Sequence, residues 1–364
     1  MRRFGEVEYR AVSLAGLMGM VSAGCAPDLG SPASLIGGGR ILAVRGEPAE
    51  ASPGVEVSYS VLAVTEFGTL KAPTVLWALC LKPKPLDENN VVTGACLGDD
   101  VMAVGDPLAA VTATVPMNAC SLFGPETPPA EKDQPPLRPR DPDVSGGFYQ
   151  PVRANLYQGG QPGSGAADVI AFGLERVTCN LPGAPIEIAQ AFAKAYTPNR
   201  NPALTGVTAV LLDGGGNAMG TPQPLAGEDA VPGTNGTFAG VASGKKVRLS
   251  ATWDEASLER YPVFDVTTRA LVFHRESLNV SWFAVGGAFE HDRAGRTVAC
   301  HAKAATDPGY DASLPCDAVV AATDLSVDNV WTAPATPGNV QLWAVLRDAR
   351  GGVEYARYVI PVTQ

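Results

Sequence analysis

Three histidines and seven cysteines are the residues of this 364-residue chain best suited to metal or nucleophilic chemistry. A zinc site needs three or four convergent ligands at spacings such as C-x-x-C. No C-x-x-C pair occurs, and His274, His291 and His301 read as solvated loop residues, even where His291-Asp292 and His301 suggest a metal pair. Asp141-Pro142-Asp143-Val144-Ser145-Gly146 has the alternating-oxygen rhythm of a calcium loop. Val152 stands where the bidentate Glu belongs, so a turn is expected there. Ser164 follows Pro162-Gly163 and so lacks the first glycine of a G-x-S-x-G nucleophile turn. No P-loop, dinucleotide fingerprint or H-E-x-x-H is present. The expectation is no catalytic residue, no metal and no cofactor. The alternative is an accessory or catalytic enzyme domain acting on an envelope polysaccharide. It would draw on carboxylates such as Asp99, Asp100 and Glu126 meeting in a cleft with raised pKa values.

The elements that would position any site are strands. Gly 40 and Pro 31 are high, and long helical runs are scarce. Many short strands joined by turns fit that balance. Arg40 to Val44 alternates, and Val55 to Val64 alternates again, with Val55, Val57, Tyr59 and Val61 on one face. Thr74 to Cys80 predicts a buried strand carrying Trp77. Gly206 to Leu212, Lys245 to Thr252 and Asn279 to Val285, with Trp282, repeat that order. Gly147–Pro151 then matches Val330–Pro334, and Val169–Cys179 matches Val340–Asp348, so one plan occurs twice. The chain closes with a hairpin: a strand from Val340 to Leu346, the turn Asp348-Ala349-Arg350-Gly351-Gly352, and a return from Val353 to Val362. Ala184 to Tyr196 predicts one helix, since Ile188, Ala189, Phe192 and Ala193 fall on one side. Prolines crowd residues 125–142, which reads as an irregular loop.

A Trp-bearing strand, then Trp331-Thr332-Ala333-Pro334, Pro337-Gly338, an alternating strand and D-x-x-G-G resembles the bacterial immunoglobulin-like domains of the PKD and related kinds. Residues 277–287 and 327–362 carry the match, and 38–180 follow it more loosely. The resemblance implies an all-β chain of two immunoglobulin-like antiparallel β-sandwich domains with one short linking helix. The first spans 40–183 and includes a proline-rich insertion. Residues 184–202 form the helix and linker, and 203–364 the second domain. Such motifs imply a fold and say nothing of a ligand.

The N-terminus implies an address. Arg2, Arg3 and Arg10 precede an apolar run from Ala11 to Val21 and then Ser22-Ala23-Gly24-Cys25. This resembles a bacterial lipoprotein signal peptide at residues 1–24, in which Cys25 is lipidated and becomes the mature N-terminus. Ser22 departs from the usual Leu. Ala26 after the Cys favours the outer membrane by resemblance to enterobacterial sorting. Residues 25–39 then form a flexible tether, rich in Gly, Ser and Pro between Asp28 and Gly39. With Cys25 lipidated, six of the seven cysteines remain, and an exported chain would pair them. Cys300 with Cys316, Cys80 with Cys96, and Cys120 with Cys179 is the expected scheme, though fifteen pairings are open.

A formal net charge of -10 leaves no basic face to neutralise phosphates, so no nucleic-acid partner is expected. The expected partners are the membrane, through the lipid, and an envelope protein or carbohydrate. The candidate patch lies on the back of the closing hairpin. Val340, Leu342, Ala344 and Leu346 would face the core, which turns Trp343 and Arg347 outward. Tyr355, Arg357 and Phe283 would share that outer face. Rings beside arginine make a platform for a sugar or protein, unless the other domain or an insertion covers it. The reading is a non-enzymatic, lipid-anchored cell-envelope protein that binds or scaffolds.

Overall fold

A computed structural model describes residues 32–83, 92–124, 147–157, 169–181, 184–234, 236–265, 268–295 and 325–364. Over these residues the chain is mostly β, built from several antiparallel sheets. In the N-terminal half the main strands are β1 (Arg40–Glu47), β2 (Glu56–Thr65), β3 (Val75–Cys80), β4 (Val101–Val104), β5 (Ala110–Thr114), β6 (Tyr149–Leu156) and β7 (Val169–Val177). β2 pairs with β1 on one side and β5 on the other, while β7, β6, β3 and β4 lie in that order in a second sheet. Val57, Tyr59, Trp77, Leu79, Val152 and Leu156 close the core between the sheets. They are the inward positions of alternating strands, so a period of two in the sequence places them there.

The C-terminal half holds β8 (Leu204–Leu211), β9 (Lys246–Trp253), β10 (Arg260–Asp265), β11 (Ala270–Arg275), β12 (Asn279–Ala284), β13 (Arg293–Gly295), β14 (Ser326–Thr332), β15 (Gly338–Arg347) and β16 (Val353–Thr363). β8, β9 and β14 form one sheet, and β16, β15, β12 and β13 another. Leu249, Trp282, Trp331, Leu342 and Ile360 fill the core between them. β10 and β11 form a separate two-stranded hairpin. Helix α1 (Ile186–Ala195) lies between the halves in sequence. It buries no residue fully: Ile188, Ala189 and Phe192 are half-buried, and Ala193 is exposed.

The two halves share one connectivity, but the match is one strand out from the sequence expectation. Tyr149–Leu156 occupies the place of β15, not of the Val330–Pro334 stretch, and β7 occupies the place of β16. The counterpart of β14 is β5, Ala-Val-Thr-Ala-Thr, which has no aromatic residue. An aromatic followed by proline is too short a signature to register two strands, and the five residues of β5 carry no aromatic to mark it.

The end of the expected tether is also ordered. Ile36 N–H donates to the Ala284 carbonyl at 2.9 Å, and Ala284 N–H to the Ser34 carbonyl at 2.9 Å. Ile36 is fully buried, and a buried apolar side chain fixes backbone that composition alone reads as linker. Residues 1–24, the tether up to Ser31, the proline-crowded loop at 125–142, Ser164, Asp141 to Gly146 and Glu126 lie outside the described residues.

Candidate functional site

The final hairpin turn is where side chains from both halves converge. Asp348 starts it. Its Oδ1 accepts from the N–H groups of Arg350 at 2.9 Å and Gly352 at 2.7 Å. Gly351 sits at φ +99, a left-handed conformation that favours glycine. A Cβ on Gly352 would collide with the Asp348 carboxylate. The D-x-x-G-G spacing is therefore what lets one carboxylate cap the turn from inside. The turn in turn aims Arg350 inward, at 1% exposure.

Arg350 is held from three directions. Its Nε pairs with Glu276 and its Nη2 with Glu259, while Nη1 donates to the Thr197 carbonyl at 3.2 Å. Its guanidinium lies 4.4 Å from the ring centre of Tyr261 on β10. Asn199 Nδ2 donates to Asp348 Oδ2 at 3.1 Å, and Asn199 N–H to Glu50 Oε2 at 2.8 Å. Glu50 also accepts from Thr178 Oγ1 at 2.8 Å and Tyr196 Oη at 2.5 Å, and pairs with Arg176 at 3.2 Å. A chain of buried polar groups thus runs from the N-terminal sheets, through the segment after α1, to the last turn of the C-terminal sheets. Buried charges persist only when paired and hydrogen-bonded, as these are.

Beside this network lies a carboxyl without such support. Glu175 is 3% exposed, and its Oε1 has no hydrogen-bond partner among the described residues. Burial, then the neighbouring carboxylates of Glu50 and Glu47, push its pKa up to about 8. The protonated acid is the form this site favours.

An apolar seam continues from the polar network. Ile36, Leu42, Leu62 and Val64 pack against Trp343, Val345 and Val353, with Phe283 and Tyr355 at the margin. Trp343 is fully buried, and its Nε1 donates to Thr69 Oγ1 of the N-terminal half at 2.9 Å. Thr69 N–H donates to Glu228 Oε1 at 3.1 Å, and Lys71 pairs with Asp229 at 2.7 Å. Asn201 Nδ2 donates to the Gly46 carbonyl at 2.7 Å while its Oδ1 accepts from Val353 N–H at 2.8 Å.

The residues of the expected platform do come together. Trp343 stands opposite Phe283 on one side and Arg357 on the other, Tyr355 opposite Val345, and Arg347 opposite Val353. β1 and β2 cover the centre of this face, however, so Trp343 is not available to a sugar or a partner, while Phe283, Tyr355 and Arg347 stay half-buried. Arg40 lies over the Phe283 ring at 5.7 Å, and Arg357 is exposed at the rim, where it pairs with Glu228 at 3.6 Å. The signal for cover was in β2: Val61 to Val64 are all apolar, so alternation fails where both faces are buried.

Cys80 and Cys96 form a disulfide with Cα atoms 5.4 Å apart, and Cys120 and Cys179 another with Cα atoms 5.8 Å apart. Cys25, Cys300 and Cys316 lie outside the described residues, as does His301. His291 is exposed and His274 half-buried against Tyr261. Asp99 and Asp100 are exposed in a turn, where Asp100 lies 3.8 Å from Lys82. Among the described residues, no group of three or more His, Cys, Asp or Glu side chains is arranged to hold a metal ion.

No family model and no curated protein matches the chain. Among solved structures, it is similar to dimeric latent PorU from Porphyromonas gingivalis, at 11% identity, 90% of this chain, 24% of that chain and a TM-score of 0.19. It is also similar to a chimeric titin Z1Z2-Z1Z2 tandem, at 10% identity, 90% of this chain, 100% of that chain and a TM-score of 0.21. A DUF4785 family protein from Legionella pneumophila matches at 9% identity, 88% of this chain, 54% of that chain and a TM-score of 0.20. The chain spans about a quarter of the PorU chain, and TM-scores this low carry no argument about fold or function.

Proposed function

We propose that this is a non-enzymatic, lipid-anchored protein of the bacterial cell envelope, in which two immunoglobulin-like sandwich domains act as one rigid scaffold. The observation that carries the reading is the seam: Trp343 and the Arg350 network tie the two halves by apolar packing and buried ion pairs together. Domains joined only by a linker move independently by default. A seam of this kind suits a scaffold or spacer that must hold its shape.

The strand order supports the immunoglobulin-like reading. β1, β2 and β5 stand as strands A, B and E of such a domain, and β7, β6 and β3 as G, F and C. β8, β9, β14 and β16, β15, β12 repeat that order. Helix α1 and residues 196–202 form the link between the domains. Two disulfides support export to an oxidising compartment. Cys25, behind a basic start and an apolar run, supports the anchor and an outer-membrane address. With the Trp343 face covered, contacts to an envelope protein or carbohydrate fall to the loops.

The test is mass spectrometry of the mature N-terminus from membrane fractions of a bacterial host. A diacylglyceryl-modified Cys25 supports the reading. An unmodified terminus, whether at Gly24, Ala26 or the initiator Met, overturns the anchor.

A further inference from the structure

Arg347 is a seam cation with no carboxylate partner among the described residues. It sits at the end of β15, half-buried, at the foot of a cleft of about 220 Å³. Ile41 and Leu42 of β1 line one wall, Ala171 and Phe172 of β7 the other, and Val353 completes the floor. These wall side chains are apolar, with backbone polar groups between them. Arg347 Nη2 donates to the Leu42 carbonyl at 2.7 Å and Nη1 to Ser281 Oγ at 3.4 Å. Those bonds use two of the five guanidinium N–H groups. No carboxylate lies within ion-pair distance among the described residues, in contrast to Arg176 and Arg350, which hold buried acids. Burial, and then the charge of Arg293, lower its pKa to about 10, as an uncompensated cation requires.

We propose that this cleft binds a short aliphatic monocarboxylate, whose carboxylate pairs with Arg347 and whose chain lies between β1 and β7. A guanidinium presents paired N–H groups that match a carboxylate, which suits the head group. The volume is below the roughly 300–1,000 Å³ of sites for drug-sized ligands, which limits the chain to a few carbons. An anion here also relieves the cost of holding a cation in an apolar setting.

The test is isothermal titration calorimetry of the full chain in detergent with sodium hexanoate, with hexylamine and acetate as comparators. Saturable hexanoate binding is expected, at least tenfold tighter than acetate, with no heat from hexylamine. Arg347→Gln weakens it tenfold or more. Ala171→Leu, which fills the cleft and leaves Arg347 in place, does the same and guards against misfolding of the first variant. Non-saturable binding, equal binding of hexylamine, or hexanoate affinity unchanged in folded Ala171→Leu protein would overturn the proposal.

Discussion

The indole N–H of Trp343 donates to the hydroxyl of Thr69 at 2.9 Å, across 274 residues of sequence. It is a single bond, but it sits over a fully buried ring and marks where the two halves meet. Trp343→Ala is expected to destabilise the protein by about 3–5 kcal/mol, the range for truncating a buried tryptophan. Trp343→Phe keeps most of the packing and loses the hydrogen bond, at about 1–2 kcal/mol. Urea denaturation of both variants checks the order.

Arg350 pairs with Glu276 and Glu259, and removing it strands Glu276, which is 2% exposed, while Glu259 keeps Arg200 at 3.9 Å. Arg350→Met is expected to cost about 3–5 kcal/mol, because the charge left behind has no solvent to turn to. Adding Glu276→Gln to that variant is expected to recover part of the loss. A double-mutant cycle by chemical denaturation measures the recovery.

Glu175 gives the protein a pH dependence of definite sign. Its pKa rises from 4.5 to about 8 on folding, so the native state keeps a proton that the unfolded chain releases. The contribution to stability is whole below pH 4.5 and is lost as pH rises to about 8. The loss is on the order of a few kcal/mol. Glu175→Gln mimics the protonated acid, so its Tm is expected to fall less than the wild type between pH 5 and 8. Tm measured across that range in both proteins is the check, and parallel curves would contradict the assignment.

Close approach of β1 to β7 depends on one glycine. A Cβ on Gly173 would come within 2.6 Å of Val44 Cγ1. Gly173→Val is expected to force β1 outward and destabilise by about 1–3 kcal/mol. Gly214, whose Cβ would meet open space, is the comparison: Gly214→Ala is expected to change stability by less than about 1 kcal/mol. Thermal unfolding separates the two.

The strands were legible because each buries one face. Val57 and Tyr59, then Leu342, Ala344 and Leu346, alternate with outward residues, and a period of two leaves little choice. The seam was harder. Trp343 was legible as outward-facing, but what lies against an outward face is tertiary information. The apolar run at Val61 to Val64 was the local trace of it. The ion network left almost no trace, since Glu50, Arg176, Glu276 and Arg350 are far apart in sequence and charged residues are usually solvated. Asp348 was the exception: its spacing to Gly351 and Gly352 marks the turn that delivers Arg350.

The most direct test of the rigid-scaffold account is native-state hydrogen exchange of the full chain in detergent, with increasing urea. The account predicts that amides of β2, β3 and β6 and those of β12, β15 and β16 open together, with one free energy, and that Trp343→Ala lowers both sets by the same amount. Two sets opening at separate urea concentrations, with Trp343→Ala moving only the C-terminal one, would contradict it.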